Sequence, residues 1–321
     1  MTVPDELLAV FRAPGARALM LGHVHPDADV LGSLLALGLA LEGRGWAVAW
    51  GGPHPVPRVL EFLPGAERYR ALRDLTGPLD VVVSADCPNP DRTEGLLAAA
   101  RRVGATVVNI DHHPDNRRYG DVNWIEPTAA ATGEMVYALL GALGAPLTPA
   151  IATNLFTAIH ADTGSFRYSN VTSQTFRVAA ALVAAGADPA AVAERLYERR
   201  PAEALRWLAA VLDRVELSAD GRIAWLALPA GLVPESFVEA EDLVAYPRSI
   251  ASARVACLFR ERDGAVKVSL RGKGDVDVSR IAARFGGGGH PNAAGCTVPG
   301  PLPVATRAVL AAVRAALEGE A

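Results

Sequence analysis

Ala105-Thr106-Val107-Val108-Asn109-Ile110-Asp111-His112-His113 is the stretch that decides the fold. An apolar, β-branched run of strand length ends abruptly in a carboxylate and two imidazoles. The same grammar recurs twice upstream. Arg17 to Gly22 runs into His23-Val24-His25-Pro26-Asp27-Ala28-Asp29, and Val81-Val82-Val83-Ser84-Ala85 runs into Asp86. Between these runs lie helical stretches, Val30 to Glu42 and Leu96 to Arg102, and a further strand at Trp46 to Trp50. Short apolar strands alternating with helices indicate βαβ units and an α/β fold with a parallel sheet. Chemistry in such sheets gathers at the carboxyl ends of the strands, where His23, Asp86 and Asp111 fall.

Downstream the character changes. Ala131-Thr132-Gly133-Glu134 opens an amphipathic helix, and Pro149 to Ile159 and Ser173 to Ala185 are two more. Residues 188–217 read as one or two helices broken near Pro201, without a ligand-type cluster. Strands return at Ile223 to Leu228, Val255 to Arg260 and Val266 to Arg271, followed by a helix at Val276 to Phe285 and a terminal helix at Pro303 to Leu317. The expected organisation is a parallel-sheet domain over 1–187, a helical linker over 188–217 and a smaller α/β domain over 218–321.

The bulk numbers agree with two domains, since 321 residues exceed the usual single core. Half the residues are hydrophobic and 21% are charged, an ordinary globular composition. A net charge of -4 argues against a long nucleic-acid duplex as the main partner. Cys87, Cys257 and Cys296 form no CxxC pair and read as free thiols in a reducing cytoplasm. Neither a signal peptide nor a membrane-spanning run is read; the longest apolar candidate, Val30 to Leu41, is short and interrupted by glycine.

Taken singly, the polar clusters have plain readings. Asp27 and Asp29 could cap the following helix. Asp86 could be a turn former, and Asp162 in His160-Ala161-Asp162-Thr163-Gly164 an Asx-turn. His112 and His113 could be solvent-facing loop histidines, although adjacent histidines before Pro114 are hard to explain by packing. Taken together, ligand-type residues at the ends of strands and helices point to one shared metal site. Carboxylates and imidazoles without thiolates suit manganese or magnesium better than structural zinc. Such a site defines metal-assisted hydrolysis, most often at phosphorus.

Gly286-Gly287-Gly288-Gly289-His290 fits neither a Rossmann fingerprint nor a Walker loop. It reads either as a surface turn or as a run of backbone N–H groups forming an anion-binding concavity. Arg271, at the end of a strand, could clamp a phosphate with its planar fork. His25 and His160 sit beside candidate ligands as supporting or structural groups. His54 reads as a loop residue and Cys87 as a small buried one.

In this order, His23-x3-Asp27-x-Asp29-x2-Gly32-Ser33, Asp86, Asp111-His112-His113, Asp162-Thr163-Gly164 and Gly286-Gly287-Gly288-Gly289-His290-x2-Ala293-Ala294-Gly295 resemble the DHH phosphoesterase family with its DHH-associated C-terminal domain. The resemblance spans nearly the whole chain. It implies two divalent ions, manganese before magnesium, one held by His23, Asp27 and Asp86 and the other by Asp29, Asp86, His112 and Asp162. It further implies that His113 meets the scissile phosphate or leaving group and that Asp111 orients the histidines. Arg271, Gly287, Gly288, Gly289 and His290 would hold the nucleotide. Within the family a compact two-domain chain is most similar to the group of bifunctional oligoribonucleases and pAp phosphatases. The implied substrates are short single-stranded RNA or DNA and adenosine bisphosphate. The alternatives are a linear dinucleotide (pApA) phosphodiesterase, a single-strand-specific 5′ exonuclease on short DNA, and a nucleotide sensor without activity. A homodimer is allowed, and no membrane is involved.

Overall fold

The computed structural model describes residues 1–12, 15–75, 77–234, 237 and 243–319. Six parallel strands form the first sheet: β1 (Arg17–Leu21), β2 (Ala47–Gly52), β3 (Arg70–Ala71), β4 (Val81–Ala85), β5 (Thr106–Asp111) and β6 (Val122–Ile125). Their order is β3-β2-β1-β4-β5-β6. All neighbours are parallel. Chain order reverses between β1 and β4, which makes their carboxyl ends the topological switch point where ligands bind in open α/β sheets.

The apolar runs show no polar alternation because both faces of this sheet are covered. Ala18, Met20, Val83, Val108 and Ile110 pack under α1 (Asp5–Arg12), α2 (Ala28–Glu42), α4 (Thr132–Ala142), α5 (Pro149–Asp162) and α6 (Ser173–Ala184). Leu19, Leu21, Val82 and Val107 pack on the opposite face under α3 (Leu96–Arg102). α2 lies between the sheet and α5 and is buried almost all round. Gly32 permits that approach, since a Cβ there would collide with the Asn154 carbonyl.

The expected linker over 188–217 is divided. Contacts separate the chain into Met1–Arg199 and Arg200–Ala321. α7 (Pro189–Tyr197) buries Val192 in the first unit's core, whereas α8 (Ala202–Leu212) buries Ala204 and Val211 beside Leu226 and Leu228 in the second. A free-standing connector would leave these side chains in water. The last residues of the expected helix are instead strand β7 (Val215–Leu217), paired antiparallel with β8 (Ile223–Leu228). Trp225 Nε1 donates to Glu216 Oε1 at 3.1 Å across that pair. Here a tertiary partner overrides local propensity.

The second unit is a mixed sheet in the order β7-β8-β9-β10-β12-β11. Its other strands are β9 (Val255–Arg262), β10 (Ala265–Gly272), β11 (Gly288–His290) and β12 (Ala293–Pro299). The helices α9 (Ala245–Ser249), α10 (Val278–Ala283) and α11 (Leu302–Glu318) accompany it. The helix expected over Val276 to Phe285 is thus shorter. The glycine run ends in an edge strand rather than a loose turn. Gly289 has φ +133°, and a Cβ there would lie 2.6 Å from the Ala293 carbonyl oxygen. Close packing of β11 on β12 therefore demands glycine. Cys87, Cys257 and Cys296 are free and buried. No single helix among the described residues is long and apolar enough to cross a membrane.

Candidate metal centre

Asp27 is the N-cap of α2: its Oδ1 accepts from the Asp29 and Val30 amides, both at 3.1 Å. The capping reading of Asp27 is therefore correct, but it does not exclude a ligand role. Asp29, the second residue of that helix, is buried and points to another element. Its Oδ2 accepts from Thr132 N at 2.7 Å and its Oδ1 from Gly133 N at 2.9 Å. α4 begins after Ala131, an N-cap with no capping side chain, so a carboxylate from α2 satisfies its orphan amides instead. Ser33 Oγ adds a third bond to Asp29 at 3.1 Å.

Asp86 follows β4 with φ +52°, a conformation uncommon outside glycine, asparagine and aspartate. Its amide still donates to Ile110 O at 3.0 Å, which fixes the carboxylate over the switch point. Asp86 Oδ1 lies 3.3 Å from His112 Nε2 and 3.6 Å from His113 Nδ1, and accepts from Thr132 Oγ1 at 3.2 Å. His112 Nε2 is also 3.7 Å from Asp29 Oδ2 and 3.6 Å from Asp162 Oδ2. Among the described residues of the first unit, three potential ligand sets converge here, each with donor atoms within 4.8 Å of one another: His23, Asp27 and Asp86; Asp29, Asp86 and His112; and Asp86, Asp111 and His113. Asp86 belongs to all three.

The imidazoles are oriented by their other nitrogens. A carbonyl only accepts, so His112 Nδ1 carries a proton to Ala129 O at 3.0 Å, whereas His23 Nδ1 lies between Val24 O at 2.8 Å and the donor Arg92 Nη2 at 3.1 Å. His112 Nε2 is thereby the nitrogen that faces Asp29, Asp86 and Asp162, and it ligates a metal once its own proton leaves. Asp111 Oδ1 accepts from His113 Nδ1 at 2.8 Å and from the His112 amide at 2.9 Å. Beneath it, Asn116 Nδ2 donates to Asp111 Oδ2 at 2.5 Å and to Asn109 Oδ1 at 2.8 Å. Tyr119 Oη donates to Cys87 O at 2.8 Å. Sequence reading missed Thr132, Asn109, Asn116 and Tyr119. His54 does lie in a loop, where its Nδ1 accepts from the His25 amide at 3.1 Å and so supports the His23–Asp29 loop. His160 packs among Phe156, Phe166 and Tyr197. In the second unit, Arg271 ends β10 beside Ala293 of β12, which pairs in turn with His290 of β11.

Residues 17–159 match the DHH family, N-terminal domain, and residues 238–319 match the DHHA1 domain. The chain belongs to the DHH family. It is 38% identical over 293 residues to the bifunctional oligoribonuclease and PAP phosphatase NrnA of Thermus thermophilus, covering 91% of this chain and 87% of that one. It is 29% identical over 288 residues to the protein of the same name from Bacillus subtilis, covering 86% and 87%. In fold it resembles an exopolyphosphatase-related protein from Bacteroides fragilis, with a TM-score of 0.83 at 24% identity over 98% of this chain and 95% of that one.

The residues of this DHH centre fit divalent ions. His23 Nε2 is buried and has no hydrogen-bond partner among the described residues. Burial, then the charges of Asp86 and Asp162, push the Asp29 carboxyl well above its ordinary range. Burial likewise pushes Asp162 up to about 6. A cation relieves both strains. The nearby thiol supplies no soft ligand, because burial raises Cys87 to about 11 and its Sγ donates to Asn89 O.

A pH dependence follows. Burial lowers the pKa of His112, but Asp86, Asp162 and Asp29 more than offset this and hold it well above the ordinary value. Asp111 does the same for His113. Groups with raised folded pKa stabilise the metal-free protein while protonated. That contribution fades as pH rises, through about 6 for Asp162 and above the ordinary histidine value for His112 and His113. His23, kept neutral by burial and by Arg92, opposes this trend below its ordinary value but is one group against several. Metal must displace the retained protons, so its affinity should fall by about tenfold per pH unit for each proton displaced. The gap in Tm between manganese-loaded and chelated protein is expected to widen from about pH 5.5 to about pH 8. Thermal scans with and without EDTA measure it, and a constant or narrowing gap would contradict the assignment.

Proposed function

We propose that this chain is a metal-dependent phosphoesterase that hydrolyses short oligoribonucleotides to mononucleotides and removes the 3′-phosphate of 3′-phosphoadenosine 5′-phosphate. The observation that carries this reading is the convergence of carboxylates and imidazole nitrogens on Asp86 at the switch point. Its substrate class rests on similarity to the NrnA proteins over most of both chains.

His23, Asp27 and Asp86 would hold one ion, and Asp29, Asp86, His112 and Asp162 the other, with manganese preferred to magnesium. When bound, two such ions supply charge neutralisation at a phosphoryl oxygen and activation of water near neutral pH. The remaining work belongs to the chain. Asp111 fixes His113 Nδ1, so His113 Nε2 is the atom that contacts the phosphate or gives a proton to the leaving oxygen. Thr132 holds Asp86 and Asp29 in register with α4. Arg271, Gly287, Gly288, Gly289 and His290 bind the nucleotide's other phosphate and its sugar. Three buried free thiols agree with a reducing cytoplasm.

The test is turnover of dinucleotides, pApA and 3′-phosphoadenosine 5′-phosphate with manganese, with magnesium and after chelation. Dinucleotides and the bisphosphate should both be consumed with manganese, and chelation should cost about 100-fold or more. Activity retained after chelation would reject the metal mechanism. Nucleotide bound for hours without product would identify a sensor, and pApA alone as substrate would identify a dedicated dinucleotide phosphodiesterase.

A further inference from the structure

Phe166 and Phe176 form a stacked pair, with ring centroids 5.5 Å apart and planes 23° from parallel. Phe176 is 56% exposed, although its helix α6 turns Thr175, Val178 and Leu182 inward. Phe166 is fixed from behind by Phe156 at 6.0 Å and His160 at 5.6 Å. Its backbone is left-handed, with φ +60°, following Ser165 at +61° and Gly164 at +56°. For a bulky side chain this conformation is strained, and the surrounding structure must hold it.

The loop that presents the pair springs from Asp162. Asn170 Nδ2 ties its far end back, donating to Asp162 O at 3.2 Å and to Ala130 O at 2.9 Å. Thr172, two residues on, caps α6 and so places Phe176 one turn into the helix. Arg167 is exposed on the same loop, with its Nε bonded to Gly164 O at 2.6 Å. An open aromatic face and a cation therefore lie on the segment that leaves a candidate metal ligand and is tied back to it by Asn170.

We propose that the Phe166–Phe176 stack is a base-binding subsite for the nucleoside on the far side of the scissile phosphate, with Arg167 supplying positive charge to its backbone. The proposal rests on reading the first unit as the hydrolytic site. Every base has a π face, so such a platform tolerates any sequence, as degradation of mixed short RNA requires. It also divides the two substrates. In a dinucleotide the hydrolysed phosphate carries a nucleoside on each side. In the adenosine bisphosphate it carries only one, so the subsite contributes nothing there.

The experiment measures kcat/KM on dinucleotides and on the bisphosphate for wild type, Phe176→Ala, Phe176→Trp and Phe176→Leu with manganese present. Phe176→Ala should lose about 5- to 100-fold on dinucleotides, mainly through KM, and stay within about twofold on the bisphosphate. Phe176→Trp should restore dinucleotide turnover and Phe176→Leu should not. Equal effects on both substrates, or none on either, would overturn the subsite. So would a changed sedimentation coefficient accompanied by parallel losses, which would assign Phe176 and the exposed Val183 of the same helix to a contact between copies. If wild type turned over neither substrate, the phosphoesterase reading itself would fail.

Discussion

Asp86→Asn is expected to lower kcat by about 1,000-fold or more on every substrate, the largest effect of any single change in the chain. Asp86 is the carboxylate common to the three ligand sets of the first unit, and its Oδ1 faces His112, His113 and Thr132. Asparagine is the informative replacement. It keeps the size and tolerates the left-handed backbone at φ +52°, whereas alanine adds backbone strain to the loss of charge. The folded protein should persist, but manganese should no longer raise its Tm. Turnover within about tenfold of wild type would remove Asp86 from the centre of the mechanism.

Arg271→Ala should act on binding instead. Its guanidinium is half-buried at the end of β10; one amino group reaches only the adjacent Leu270 carbonyl at 3.1 Å, and Nε is buried without a hydrogen-bond partner among the described residues. A cation held in this way is suited to an anion from solution, and a phosphate matches its fork. A charge-assisted pair lost at this position should raise KM by about 10- to 100-fold and leave kcat within a few-fold. Lysine should rescue poorly because it cannot reproduce the planar geometry. A fall in kcat at unchanged KM would place Arg271 in the chemistry rather than in the grip on substrate.

The first sheet was legible because parallel strands buried on both faces leave continuous apolar runs, and Val81–Ala85 and Thr106–Asp111 are such runs. β3 was not, since two exposed residues carry no pattern. β7 was misread because Val215-Glu216-Leu217 acquires its conformation from β8, a partner that local sequence does not reveal. The acidic and histidine clusters were visible as residue types, but not how each carboxylate divides its work. Asp27 caps its own helix and Asp29 caps another 103 residues away. Thr132 gave one signal that could have been used: α4 starts after Ala131, which cannot cap, so its amides required an acceptor from elsewhere. Asn109 gave another. A polar residue inside Val107-Val108-Asn109-Ile110 must find partners, and it joins Ser84, Tyr119 and Asn116 beneath Asp111. The glycines of residues 286–289 were noticed for their flexibility, whereas Gly289 is set by its close approach to β12.

Anomalous diffraction from crystals grown with manganese tests the central claim most directly. Two peaks about 3.5–4 Å apart are predicted, one on each side of the Asp86 carboxylate, with His23 and Asp27 at the first and Asp29, His112 and Asp162 at the second. A lone peak, or peaks that leave Asp86 uncoordinated, would contradict it.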